Sequence, residues 1–537
     1  MSLQSLSPRQ RRQIKQVHKT QRREQKDLVE TILKKGAAKS AKTDAAAVAA
    51  LTVTRAQLTD AELQEWRQDM ERRVEKILQH PEQNLGHLEE ELAQAALEPL
   101  RRMAERAAQA KANATPCLCP IHKTPLKHQR TLGRKIDSRF GRLHLFRAYG
   151  RCEQCDAWHF PADLVLGLNP HSPASPYLQE ATALLNSKMP SAQAVEVAAR
   201  FGLDLSRCFI HREAHRQGLK AQELRATGLA ELDTWEGIQK SASHREGPST
   251  APFTLIIEID AWNIRERDHW GRTAEVRQEA LRQNQDLPSK WHWVYAATVF
   301  RLDHRGEKDG GRPFISQRGY VSTRLGIEAL MRQLYKEAID RGLRQVHDVL
   351  VIADGAIWIW DLVADRFSQA RCRLDLYHGR EHLWTVANEL FGKGSPEARG
   401  WVQPLLEQLH QDQPLALIQS LKDAQAFVGE KLQKKVQAQI TYFQNNQNRL
   451  TYRAILDARR AVEEGCATPA QKIKAAEPLG SGAIESTCRQ YQCRFKRTGQ
   501  FWSMEGDEAL MCLETFWRND RWHLLFPHAK PPSHANN

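Results

Sequence analysis

The sequence predicts a multidomain α+β protein: a mixed sheet with flanking helices, split by a helical insertion and preceded by helical, ribbon and bihelical segments. Three observations predict it. From Phe253 onward, β-branched runs alternate with helical stretches in the order β, β, β, α, β, α, β, α. About ninety residues of helical pattern between His382 and Lys474 then interrupt the chain before a last helix. Ahead of residue 250 the composition changes several times, from a basic arm to a helical stretch to a cysteine-bearing hairpin.

A chain of 537 residues has room for several cores, so none needs disulfide staples. Its 78 Lys+Arg against 64 Asp+Glu leave a formal net charge of +14, the electrostatic footprint of a protein that meets polyanions, with nucleic acid foremost. The N-terminus MSLQSLSPRQRRQ has no apolar region behind its charges, and no stretch approaches the 18 apolar residues that span a bilayer. This predicts a soluble, cytoplasmic, nucleoid-associated protein with no membrane partner. Ten cysteines, four of them close together, do not resemble a secreted disulfide framework; thiols and metal ligation fit better.

Residues 1 to about 40 carry eleven Lys/Arg against three Asp/Glu and read as a basic arm with a small-residue linker behind it. From Leu58 to about Ala112, apolar residues such as Val74, Ile77 and Leu78 recur at helical spacing, which predicts a helical segment that packs or dimerises. Together these make a first segment, 1–114. A second, 115–170, contains Cys119-Pro-Ile-His122 and Cys152-Glu-Gln-Cys155, joined by alternating residues including Leu143, Leu145, Phe146 and Tyr149 that read as a β-hairpin. Two knuckles at one end of a hairpin can close a tetrahedron around a structural Zn²⁺. Cys117 and His159 stand nearby as spare ligands. A third segment, 171–228, pairs a short helix around Ala194 and Ala198 with the turn Phe201-Gly202-Leu203 and a second helix capped by Ser206. Its cations Arg207, His211, Arg212 and Arg216 would enter a major groove if this is a helix-turn-helix; any two short helices around a glycine share the pattern.

The sheet-forming part begins with FTLIIEID (253–260), followed by WVYAATVFRL (293–302) and RGYVSTR (318–324). A helix is expected at 325–341, then the strand DVLVIADGA (348–356), the helix WIWDLVADRF, the strand RCRLDLYH (371–378) and a helix from Arg380. In a ribonuclease-H-like fold this order puts the first and fourth strands side by side, making Asp260 and Asp354 neighbours at strand ends. Mg²⁺, or Mn²⁺, takes such oxygen ligands, and two ions clamp the attacking and leaving oxygens of an in-line phosphoryl transfer. A third carboxylate is expected from a late helix, and LGSGAIEST supplies Glu485 in its first turn, with Ser481 as N-cap. Glu258 competes with Asp260, because alternation sets both on one face of the strand.

The strings VIADGAIWIW, LDLYHGREHLW and PLGSGAIESTCRQYQCRFKRTGQFW resemble signature blocks of bacterial insertion-sequence transposases of the ISKra type, and the preceding order of ribbon, FPADLVLGL and helix-turn-helix is also similar. The resemblance covers roughly residues 115–525. It implies a DDE transposase with Asp260, Asp354 and Glu485 as its acids, binding transposon ends and target DNA as a homo-oligomer and cutting and joining strands. It also implies a core divided into 250–390 and 475–525 by the insertion 391–474. Asp375 and His378 match an acidic-x-x-His motif found after the second acid in several transposase superfamilies; His378 would contact the scissile phosphate, orient a ligand or serve structure. Two departures are the inserted loop after the first strand and C-x-x-H in place of C-x-x-C. Past Glu485, Arg489, Arg494, Lys496 and Arg497 read as a basic stripe beside Trp502, suited to a phosphate backbone. A non-transposing nuclease with the same core and a host-adopted DNA-binding protein are the alternatives.

Overall fold

A computed structural model describes residues 59–80, 82, 84–243, 253–267, 273–284, 291–308 and 312–529. The basic arm lies outside the described residues. The chain divides into two compact units, Met1–Leu185 with Ser191–Glu213, and Asn186–Pro190 with Ala214–Asn537.

In the first unit, helices α1 (Asp60–Leu78) and α2 (Leu85–Ala114) pair. Thr59 starts α1 with a capping box closed by Glu62, and Glu62 also accepts both terminal nitrogens of Arg106 on α2, at 2.9 and 2.7 Å. The helix α2 lies against a hairpin of β1 (Lys127–Ser138) and β2 (Gly141–Arg151), with β3 (Trp158–His159) beyond it. Gln109 exchanges two 2.8 Å hydrogen bonds with the backbone of Phe146, so the helix behaves as an extra strand edge. Ile136, Leu143, Leu145 and Leu168 form the small core beneath it. The helical segment is therefore a packed face. Helix α3 (Ser191–Arg200) ends in a turn with Gly202 at φ +73°, and Ser206 then accepts the Phe209 N–H at the start of α4 (Arg207–Ala230), whose first turns belong to this unit.

The second unit is a mixed α+β body around a five-stranded sheet. Its strands are β4 (Thr254–Arg265), β5 (Trp291–Arg301), β6 (Gly319–Thr323), β7 (Asp348–Ala353) and β8 (Arg371–Leu374), in the order β8-β7-β4-β5-β6. The first three are antiparallel neighbours; β7 and β8 run parallel to β4. Such an order is consistent with a ribonuclease-H-like core. Both faces are buried, which is why the strands read as near-continuous apolar runs. Leu255, Ile257 and Ile259 face α5 (Ile327–Asp340) and α6 (Ile357–Arg366), while Ile256, Leu350 and Ile352 meet Ala476 and Ala483 on the other side.

Helix α7 (Leu376–Phe391) leads into the expected insertion: α8 (Pro396–His410), α9 (Pro414–Ala426), α10 (Glu430–Asn446), α11 (Arg453–Glu463) and α12 (Pro469–Ala476). The first four of these share one core with α7, centred on Leu383, Leu409, Leu421 and Phe443. Helices α13 (Gly482–Phe495) and α14 (Met504–Arg518) then return to the sheet. Among the described residues no helix is long and apolar enough to cross a membrane.

Candidate active site and metal centres

The parallel register of β4 and β7 runs from Thr254 opposite Asp348 to Ile259 opposite Ala353. One step further on each strand brings Asp260 and Asp354 side by side. Their carboxylates feel each other: burial raises the Asp260 pKa first, and the Asp354 charge raises it further. The strand containing Asp260 does not end there, as the sequence suggested. It continues to Arg265, paired with β5, while its parallel partner stops at Ala353. Asp260 therefore marks the carboxyl end of the parallel pair, where α/β sheets commonly bind ligands.

Glu258 shares that face but is fully buried. It accepts the Ile484 N–H at 2.8 Å, and burial pushes its pKa up to about 8. It lies beneath the start of α13, where its job is to satisfy a helix N-terminus.

Glu485 stands on the first turn of α13, half-buried, with its pKa raised by burial and by the nearby charges of Asp375 and Asp260. Here the expected boundaries shift. The strand ends at Leu374 and the helix begins at Leu376, four residues earlier than its polar pattern suggested. Asp375 is the N-cap, accepting the Tyr377 and His378 N–H groups at 2.6 and 3.1 Å, which puts His378 on the first turn. Its other oxygen accepts the backbone N–H and the hydroxyl of Ser481 at 2.5 and 2.6 Å. Ser481 precedes α13, but its hydroxyl donates to Asp375 and makes no cap hydrogen bond to its own helix.

Donor atoms of Asp375, His378 and Glu485 all lie within 4.8 Å of one another, a group that can hold a metal ion. A carboxylate offers about four lone-pair positions, and Asp375 already has four donors. It is thus better placed as a staple between α7 and the loop before α13 than as a ligand. Glu485, Asp260 and Asp354 retain open oxygens. The Asp354 charge raises the pKa of Asp260, and the Asp260 charge that of Glu485; a cation among such groups would relieve this crowding.

The insertion reaches this site, which the sequence did not reveal. Tyr442 on α10 donates its hydroxyl to the Asp354 carbonyl at 2.7 Å, and Asn446 one turn on accepts from Trp360 Nε1 at 2.9 Å while its amide faces the Gly355 carbonyl at 3.4 Å. Gly355 has φ +99°, and a Cβ there would meet Tyr442, Leu374 and Asn446 at 2.8 to 3.0 Å. The available sequence signal was a polar Asn among buried apolar positions of an amphipathic helix. Cys488, one turn beyond Glu485, is buried, and burial together with the nearby Asp260 charge pushes its thiol pKa up.

In the first unit, Cys119, His122, Cys152 and Cys155 form a second group with all donors within 4.8 Å. Cys119 and Cys152 Sγ lie 3.6 and 3.5 Å from His122 Nδ1, and Cys119 and Cys155 Sγ are 3.9 Å apart. Two thiolates about 2.3 Å from a tetrahedral ion stand about 3.8 Å apart, so the shell has the right size. Each knuckle folds the same way: Lys123 and Asp156, each just after the second ligand, have positive φ, and the backbone closes onto Cys119 and Cys152. His159 lies outside the shell, 3.2 Å from Cys155 Sγ, and Cys117 packs against it.

Arg207, His211 and Arg212 are exposed on the first turns of α4. Lys496 and Arg497 are exposed as well, as is Arg489. Arg494 is not, and its place in the basic stripe is corrected. Helical spacing sets it on the buried side with Cys488 and Tyr491; it donates Nε and Nη2 to the Asn186 carbonyl at 3.0 and 2.8 Å, and burial lowers its pKa to about 10.

No family model matches the chain, and no curated protein matches it. The resemblance to ISKra-type transposases thus rests on the sequence blocks alone. Among solved structures the chain is similar to the Drosophila P element transposase strand transfer complex, at 12% identity over 66% of this chain and 88% of that one, with a TM-score of 0.22. At that score the likeness carries no argument.

Proposed function

We propose that this protein is a DDE transposase: a metal-dependent phosphoryl transferase on a ribonuclease-H-like core that cuts and joins DNA strands at the ends of an insertion sequence. The observation that supports the reading is the parallel β4–β7 register, whose ends lead into Asp260 and Asp354, with Glu485 on α13 near enough for the Asp260 charge to raise its pKa.

Mg²⁺ or Mn²⁺ bound there would polarise the phosphate and lower the pKa of the attacking water or hydroxyl. Asp260, Asp354 and Glu485 would hold that charge in place. His378, within reach of Glu485, would meet a phosphate oxygen. Asp375 and Glu258 hold the start of α13, and so the position of Glu485. In the first step water attacks the phosphorus and the bond to the 3′ oxygen breaks; that oxygen leaves as a 3′-hydroxyl. In the second step the hydroxyl attacks a target phosphate, and one target bond breaks as one joint forms. The cysteine and histidine shell is read as a structural Zn²⁺ site. The exposed cations of α4, with Lys496 and Arg497, are read as contacts to duplex DNA.

The test is strand cleavage by the full chain on plasmid DNA containing the sequences that flank its gene. Asp260→Ala, Asp354→Ala and Glu485→Ala should each reduce cleavage to background and leave duplex binding within about twofold, because each removes a metal ligand and no phosphate contact. Normal cleavage by any one of them removes that residue from the triad. An inactive Glu258→Ala beside an active Asp260→Ala would reassign the first acid.

A further inference from the structure

Beyond the carboxylates, the β4–β5 hairpin presents a basic and aromatic surface that, apart from Lys496, has no role in the reading above. Cross-strand pairing sets Asn263 opposite Trp293 and Arg265 opposite Trp291, so these four side chains share one face. Trp291 and Trp293 are 48% and 56% exposed. The segment before α14 lies along β4 past the end of β7: Arg267 N donates to the Trp502 carbonyl at 2.8 Å, and Trp502 N to the Arg265 carbonyl at 3.1 Å. This holds Phe501 with the guanidinium carbons of Arg265 and Arg267 each 4.5 Å from its ring centre. Lys496 joins the group, 5.4 Å from the Trp291 ring and 2.8 Å from Asn263 Oδ1.

Three aromatic rings interleaved with three cations suit a partner with negative charge and flat π faces. A second copy of the same surface would set cation against cation. Duplex DNA offers the charge, but its base faces are covered by stacking; an unpaired strand offers both. The surface begins three residues after Asp260 on the opposite face of β4, about 10 Å along the strand.

We infer that the surface formed by Arg265, Trp291, Trp293, Lys496 and Phe501 binds unpaired DNA, stacking its bases on the indoles. The location relative to cleavage rests on the transposase reading; the binding itself does not. Where strands part near a cut, a stacking platform offsets the cost of unpaired bases.

The experiment measures anisotropy of fluorescein-labelled dT20 and of a 20-base-pair duplex with the full chain, over a salt series and without added divalent cation. The double variant Trp291→Ala/Trp293→Ala should weaken dT20 binding at least about tenfold and duplex binding less than about twofold, because stacking on each ring is worth several-fold or more. Trp291→Phe/Trp293→Phe should restore most of the loss. Lys496→Glu should weaken dT20 binding and flatten its salt dependence. Equal losses on both DNAs would overturn the inference, as would undiminished dT20 binding by the alanine variant, which would assign the surface to a protein partner. Both indoles are exposed, so an unchanged melting temperature shows the variants are folded. Failure here beside metal-dependent cleavage by the wild type leaves the proposed function standing; absence of any cleavage overturns that reading separately.

Discussion

The two candidate metal groups are built in opposite ways. The cysteine and histidine shell gathers its four donors from two short turns at one end of a hairpin, all between residues 119 and 155. Each turn closes on its own first cysteine, and little apolar core lies beneath: Leu126 with the cysteines themselves. The second group, Asp375, His378 and Glu485, meets across two helix starts far apart in the chain, with the candidate acids Asp260 and Asp354 coming from a strand and a strand end and a helix of the insertion bracing Asp354. Its scaffold is a sheet covered on both faces. In the first site an ion would substitute for a core; in the second the core exists before any ion arrives. Metal should therefore be coupled to folding in one and only to chemistry in the other.

The largest effect should come from removing metal. Elemental analysis should find about one Zn²⁺ per chain, and a strong chelator should make the region of residues 115–165 sensitive to protease while the fragment containing the sheet stays resistant. Withholding Mg²⁺ should abolish cleavage without altering the protease pattern. A metal-free protein with a protected ribbon would break the comparison on its first side; loss of sheet protection without Mg²⁺ would break it on the second.

The staple at Asp375 sharpens it. Asp375→Asn places an amide N–H against the donors at Ser481 or on the α7 turn, so Glu485 should lose its setting. Cleavage should fall about 10- to 100-fold, with more Mg²⁺ or Mn²⁺ needed to reach half-maximal rate. Glu258→Gln keeps the acceptor for Ile484 N–H and should stay within about threefold of the wild type. If saturating metal leaves the Asp375→Asn defect unchanged and the metal midpoint does not move, Asp375 does not act through the ligand.

Smaller still should be the brace from the insertion. Asn446→Ala leaves the buried Trp360 Nε1 without its acceptor, costing about 1 to 3 kcal/mol by denaturant unfolding. Tyr442→Phe removes one hydrogen bond to the Asp354 carbonyl, about 1 kcal/mol. Both should lower cleavage more than they lower DNA binding; an equal fall in the two would place the insertion's role in DNA contact.

The smallest effect belongs to the helical pair of the first unit. Arg106, and then the Thr59 N–H, hold the Glu62 pKa down from 4.5 to about 2. A depressed carboxyl stabilises the fold above its unfolded pKa, and that contribution is lost as pH falls from about 4.5 through about 2. Glu62→Gln should thus lower thermal stability modestly at pH 7, with the gap to wild type narrowing below pH 4.5. A gap that widens with acid would reverse the assignment.

Much of the candidate site was legible because the signals are local. Burial on both faces writes a strand as an unbroken apolar run, so FTLIIEI and DVLVIA stand out, and the acid that follows each is visible. Knuckle spacing is visible because a tight turn presents ligands two residues apart. The glycines before Glu485 marked the start of a helix that does begin there.

What periodicity leaves open is the partner of a face. It placed Asp260 at a strand end, whereas pairing with β5 carries β4 on to Arg265; only the register with β7 accounts for its position. It set Glu258 and Asp260 on one face and favoured Asp260 only for that strand end; in the structure the N-terminus of α13 takes up Glu258. Arg494 read as surface because its charge outweighed its helical phase, and the Asn186 carbonyl that takes its protons is 308 residues away. Asp375 read as the end of a strand because its four donors come from two separate segments. The sequence by itself determined which residues are apolar, acidic or thiol, and the local turns that group them. Tertiary structure decided which acid meets which, because hydrogen-bond partners and strand neighbours are chosen across the whole chain and leave no spacing in the sequence to read.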